Sequence, residues 1–265
     1  MVPTWSGYEI NYMQIILSPA KLMDFSANTA NVKPTKPLVP EKTKELLSVC
    51  RQLSEKEIAG TMKINPKMAR EVYGYFQSYD FKSTPREPAS LAYNGIAYKG
   101  LNARDFTAED FDFAQQHLNI ISGLYGILRP LDAIRPYRLE MQRKIVPDGY
   151  KTLYEFWQEA LANYFSKKLG KGDRTIINVA SNEYSKAITK SGLPDKTRVI
   201  DIRFLQQGNN DWKQVVVHSK KARGLLSRFI IKNKLTDPEE VKGFDYENYF
   251  FYPALSDEST WTFVR

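Results

Sequence analysis

Two buried-strand runs in this chain each end in a short polar cluster whose residue types suit anion or proton chemistry. Gln14–Leu17 runs into Ser18-Pro19-Ala20-Lys21, and Thr175–Ala180 runs into Ser181-Asn182-Glu183-Tyr184-Ser185. Ligands of open sheets sit beyond the carboxyl ends of the strands, and a helix that starts there offers free N–H groups to an anion. Ser18, Asn94, Ser181, Asn182, Glu183 and Tyr184 are therefore candidate pocket residues, with Lys21 as their cation. Ordinary turn and capping chemistry explains serine and asparagine at the same places, so both readings stand. P-loop, Rossmann glycine fingerprint, nucleophile elbow and metalloprotease helix are all missing. An enzyme would have to work through Lys21, Asp132, Glu140 or Glu183 in a basic pocket, and no spacing selects among them.

The second chemistry is cationic. Lys220, Lys221, Arg223, Arg228, Lys232 and Lys234 surround an apolar stripe of Ala222, Leu225, Leu226, Phe229 and Ile230, the spacing of a core-packed helix. No acid lies between Ser219 and Thr236, so i,i+4 partners do not neutralise the run. Such a helix wants a large anion, and a phosphate backbone is the commonest one; a solvated helix face is the alternative. Leu118–Met141 reads as helix, turn and short helix, with Gly123 and Gly126 at the turn. That is the layout of a helix-hairpin-helix, which presents turn amides to phosphate, although the G-x-x-G spacing is wider than usual. Arg129, Arg135 and Arg138 follow, free to reach outward or to pair with Asp132 and Glu140. Tyr93-Asn94-Gly95 and Tyr98-Lys99-Gly100 place aromatics beside an amide and a lysine, suited to base stacking with a phosphate contact or to core packing.

These residues need a fold to position them. The 265 residues carry a net charge of +8 and a pI of about 9.3, which favours polyanionic partners. One cysteine, Cys50, cannot form an internal disulfide, and His117 and His218 are too few for a Cys/His metal cluster. No metal and no cofactor are expected. No apolar run approaches membrane-spanning length and no signal peptide is visible, so a cytoplasmic protein without a membrane partner is expected. Residues 1–12 read as a leader outside the fold, and 13–265 as a single domain. Helices are predicted over Pro40–Gln52, from a Ser54/Glu57 capping box, from an Asn65-Pro66 start to Tyr79, from a Thr107/Asp110 cap through Ile121, at Leu124–Leu128, over Leu153–Leu169 and along the basic run. Arg198–Leu205 and Trp212–Ser219 read as an antiparallel hairpin, and Tyr249–Phe251 with Trp261–Val264 as a terminal pair. The class is α+β, a mixed sheet surrounded by helices.

Taken together, SPAK at Ser18–Lys21, FDFAQQHL at Phe111–Leu118, SGLYGILRPLD at Ser122–Asp132, PYRLEM at Pro136–Met141, LYEFW at Leu153–Trp157, NVASNEY at Asn178–Tyr184 and KKARGLLSRFI at Lys220–Ile230 closely resemble the YaaA family of peroxide stress-response proteins. The resemblance spans Met13 to about Phe251. It implies a bacterial cytosolic protein that limits oxidative damage and lowers free iron, built as one α/β domain with a helix-hairpin-helix and a basic cleft for double-stranded DNA. The resemblance carries Lys220, Lys221, Arg223 and Arg228 over as expected DNA contacts, and the residues themselves add Lys21, Lys99, Gly123, Gly126, Arg129, Arg135 and Arg138.

Overall fold

The structure, a computed structural model, describes residues 13–26, 32–80, 82–170, 174–209 and 211–265; the leader at 1–12 lies outside the described residues. The first half holds β1 (Gln14–Leu17), α1 (Pro40–Gln52), α2 (Glu55–Met62), α3 (Pro66–Ser78), β2 (Glu87–Pro88), α4 (Ala89–Ala92), α5 (Ile96–Leu101), α6 (Ala108–His117), β3 (Leu118–Ser122), β4 (Gly126–Leu128) and β5 (Ala133–Ile134). The second half holds α7 (Leu153–Leu169), β6 (Thr175–Asn178), α8 (Asn182–Thr189), β7 (Arg198–Gln207), β8 (Trp212–Lys213), α9 (Val216–Asn233), β9 (Phe250–Phe251) and β10 (Thr260–Val264).

The main sheet runs β4-β3-β1-β6-β7-β10-β9, with β8 paired to β7. β3, β1, β6, β7 and β10 are parallel, whereas β4, β8 and β9 are antiparallel. The expected mixed α+β sheet is therefore present, with a parallel centre. β1, β3 and β6 are buried on both faces and show no alternation of buried and exposed positions, whereas β7 alternates along much of its length. The capping boxes at Ser54/Glu57 and Thr107/Asp110 form as their spacing requires. β9 and β10 make the predicted terminal pair.

Chain order sets the position of the site. β1 leads to β3 on one side, and the chain then crosses to β6 on the other before continuing to β7 and β10. The strand order thus reverses at β1/β6, and the crevice at a reversal, beyond the strand carboxyl ends, is where open sheets receive ligands.

Several expectations are corrected. Residues 118–128 are not helix, turn and helix; Ile120↔Leu128, Ile121↔Ile127 and Ser122↔Gly126 make an antiparallel strand pair. The run is buried at every position, so its apolar residues follow no 3.6-residue period, and β3 docks beside β1. Gly123 lies against the Leu139 carbonyl, and Gly126, with φ +69°, lies against the Trp157 ring; neither displays turn amides to a phosphate. A helical hairpin exists instead at α2–α3, turned by Lys63 in left-handed conformation and capped by Asn65, whose side chain accepts from the Met68 N–H at 2.9 Å. The Trp212–Ser219 strand shrinks to Trp212–Lys213, because α9 begins at Val216.

α9 lies over β1 and β7 and crosses α5 at backbone distance. Gly224 faces the Ala97 carbonyl and Gly100 faces that of Lys221, so each helix presents a glycine to the other's backbone. This contact holds Tyr98 of α5 where its hydroxyl donates to the Ser18 carbonyl at 3.0 Å.

Candidate functional site

At the β1/β6 reversal the two polar clusters meet. The Ser181 N–H donates to the Ser18 Oγ at 2.8 Å, and the two hydroxyls lie 3.3 Å apart. Ser18, Lys21, Ser181, Glu183 and Tyr184 share this end of the sheet because β1 and β6 pair directly, Ile16 opposite Asn178. Asn178 donates to Asp201 of β7 at 2.5 Å, with Arg223 of α9 charged towards the same carboxylate. Arg223 is largely buried and its Nε–H has no acceptor among the described residues.

The segment after β5 closes the site. Glu140, only 2% exposed, receives Lys21 Nζ at 3.2 Å, Arg138 Nη2 at 3.1 Å and Arg143 Nε at 3.4 Å. Lys21 itself is 59% exposed, while Arg138 and Arg143 are mostly covered. Lys21, Tyr137, Arg138, Glu140 and Tyr184 line one small hollow. Burial pushes the Glu140 pKa up, but Arg138 and Lys21 outweigh it and hold the group below its usual value. Glu183 moves the other way: burial raises it, the Gln142 N–H at 3.3 Å pulls it down, and repulsion from Glu140 adds to the rise. Two neighbouring carboxylates are thereby split, one kept ionised and one biased towards its acid form.

The Arg138 Nε–H is buried without an acceptor among the described residues. Ser122, Tyr137 and Tyr93 form a hydroxyl chain, with Ser122 Oγ to Tyr137 at 2.7 Å and Tyr137 to Tyr93 at 2.6 Å. Burial pushes the Tyr137 pKa up to about 12, which keeps the phenol protonated. A buried guanidinium N–H without an acceptor is complementary to an oxygen-rich anion. Among the described residues, no group of three or more His, Cys, Asp or Glu side chains is arranged to hold a metal ion.

The remaining expected contacts are distributed differently. Arg228 forks onto Asp105 at 2.6 and 2.7 Å, Lys232 meets Asp110 at 2.6 Å, and Lys234 bonds the same carboxylate. Lys221 pairs with Glu247. The basic helix is therefore neutralised by acids distant in sequence, and its reading as an unmatched cationic face is corrected; Lys220 alone of its first cations is exposed and unpaired among the described residues. Arg129 is tied to the fully buried Asp132 at 2.8 Å, which also accepts from Thr35 at 2.6 Å, so this pair fastens the chain at Thr35 and Lys36. Arg135 is 4% exposed and donates to the Asp80 carbonyl at 2.7 Å, out of reach of a DNA backbone. Tyr93 and Tyr98 are buried and offer no stacking platform. Asn94 and Lys99 line a separate hollow with Arg104. Asn182, exposed, opens α8. Sequence reasoning missed Arg143 and Tyr137 as site residues; the R-x-E-x-x-R spacing of Arg138, Glu140 and Arg143 was the available signal.

Residues 13–255 match the family described as peroxide stress protein YaaA. A UPF0246 protein of Saccharophagus degradans is 43% identical over 256 residues, covering 96% of this chain and 99% of the relative. A UPF0246 protein of Teredinibacter turnerae is 40% identical over 256 residues, with the same coverage. Among the described residues no helix is long and apolar enough to cross a membrane.

Proposed function

Because this chain belongs to the YaaA family of peroxide stress proteins, we propose that it serves peroxide defence by binding duplex DNA through phosphate contacts, without strong sequence preference, limiting iron-dependent oxidative damage there. The observation that supports this reading most is Lys21, an accessible ammonium beside the Arg138 Nε–H, a buried donor without an acceptor among the described residues. A phosphate oxygen meets both needs. Lys99 and Lys220 are exposed cations available to a phosphate backbone, and Lys63 and Lys67 are exposed cations at the α2–α3 turn. The cation set is smaller than the sequence suggested, since α9 spends most of its charge internally.

A salt titration tests this. Log affinity for duplex DNA is expected to fall linearly with log salt, and Lys21→Ala to reduce the slope by about one. The double variant Lys221→Ala/Arg228→Ala, whose cations are already paired, is expected to leave the slope unchanged. Affinity that stays constant between roughly 50 and 200 mM salt removes the phosphate reading.

A second reading, an enzyme acting on a nucleotide or phosphorylated small molecule, is favoured by one observation: Glu140 and Glu183 are split in proton affinity, which backbone gripping does not require. Nucleotides are then expected to raise Tm with concentration. Glu183→Gln should keep that shift while losing turnover. A broad nucleotide panel with no shift at saturation excludes this reading.

A further inference from the structure

A second cavity, of about 290 Å³, lies away from the strand-end site. Pro37, Pro40, Ala133 and the buried rings of Tyr79 and Tyr125 form its apolar walls. An apolar cavity of roughly 150 Å³ is enough to take up benzene, so this space suits one substituted ring. The charged lining is one-sided. Lys36, Lys44, Arg86 and Arg135 face a single acid, Glu41, which Lys44 already holds at 2.8 Å. Arg86 is exposed and has no ion-pair partner among the described residues. Arg135 is held rigid, its guanidinium 5.5 Å over the Tyr79 ring and its Nε–H on the Asp80 carbonyl. The Tyr79 and Tyr125 hydroxyls bond to each other at 2.8 Å, and Tyr125 also accepts from the Arg135 N–H at 3.0 Å.

We propose that this cavity binds a small aromatic carboxylate. A bare inorganic anion would leave the proline walls facing water, and a neutral hydrocarbon would leave the exposed Arg86 guanidinium without a counter-charge. A ring bearing one carboxylate satisfies both, with the ring between the prolines and the phenols and the carboxylate towards Arg86. The site is independent of the DNA reading.

Full-length protein is titrated with benzoate and with 4-hydroxybenzoate, followed by Tm and calorimetry, with inorganic phosphate and benzyl alcohol as comparison ligands. The aromatic acids are expected to raise Tm with concentration while the comparison ligands do not. Arg86→Ala, an exposed position, is expected to weaken the acids by about tenfold, the equivalent of one charge-assisted hydrogen bond. Lys21→Ala, at the other site, is expected to leave their affinity unchanged. No shift with either acid, an equal shift with phosphate or benzyl alcohol, or equal affinity in Arg86→Ala overturns the proposal.

Discussion

Gly224→Ala is expected to lower stability by about 3 kcal/mol or more, the upper range for overpacking, and Tm by on the order of 10 °C. A Cβ at Gly224 would lie 1.7 Å from the Ala97 carbonyl oxygen and 2.8 Å from the Leu101 N–H nitrogen. Both obstacles are backbone, so relief requires the two helices to separate. The usual gain from replacing a helical glycine, about 0.5–1 kcal/mol, is outweighed. Gly60→Ala in α2 supplies the contrast: nothing lies within 4 Å of its Cβ, so the same exchange is expected to be neutral or stabilising there. Thermal melts of the two variants check the account, and a Gly224→Ala protein with an unchanged Tm removes it. The damage should also reach the site, because α5 carries Tyr98 onto Ser18 and α9 carries Arg223.

Glu140→Gln is expected to cost about 3–5 kcal/mol, the penalty for removing one partner of a buried charge pair. Glu140 receives Arg138, Arg143 and Lys21, and the two arginines are mostly covered, so water cannot replace the lost charge there. The sign with pH follows from its direction. Glu140 lies below the ordinary carboxylate value, so its contribution is complete above about pH 5 and is lost as pH falls through the folded value. That acid limb should be missing from the stability profile of the glutamine variant. Binding should move oppositely. With Glu140 neutral the pocket gains one net positive charge, so phosphate affinity at low salt should rise as stability drops. A stable variant with unchanged DNA affinity contradicts both halves.

What was legible in the chain was local. The Ser54/Glu57 and Thr107/Asp110 boxes, the proline start of α3 and the span of α7 each depend on residues a few positions apart. β1 was legible because its apolar run stops at Ser18-Pro19. Residues 118–128 misled because a strand buried on both faces has no alternation to distinguish it from a buried helix. The charge state of α9 was invisible for another reason. Its acid partners Asp105 and Asp110 stand more than a hundred residues away, beyond any i,i+4 test. The strand-end pocket was half legible: Ser18, Lys21 and the Ser181–Tyr184 cluster were visible, but only the fold carries Glu140 between them.

The position of β1 also governs how the protein is made. Its Ile15 pairs with Leu118 on one side and Ile177 on the other, so the strand emerges from the ribosome long before either partner. At typical elongation rates the gap to β3 lasts roughly 5–20 s, during which the apolar Gln14–Leu17 strand has no sheet partner, and its β6 edge stays open for roughly 10–30 s. Nascent chains are the state most exposed to aggregation, so the order in which β3 and then β6 arrive sets how long each edge of β1 stays open.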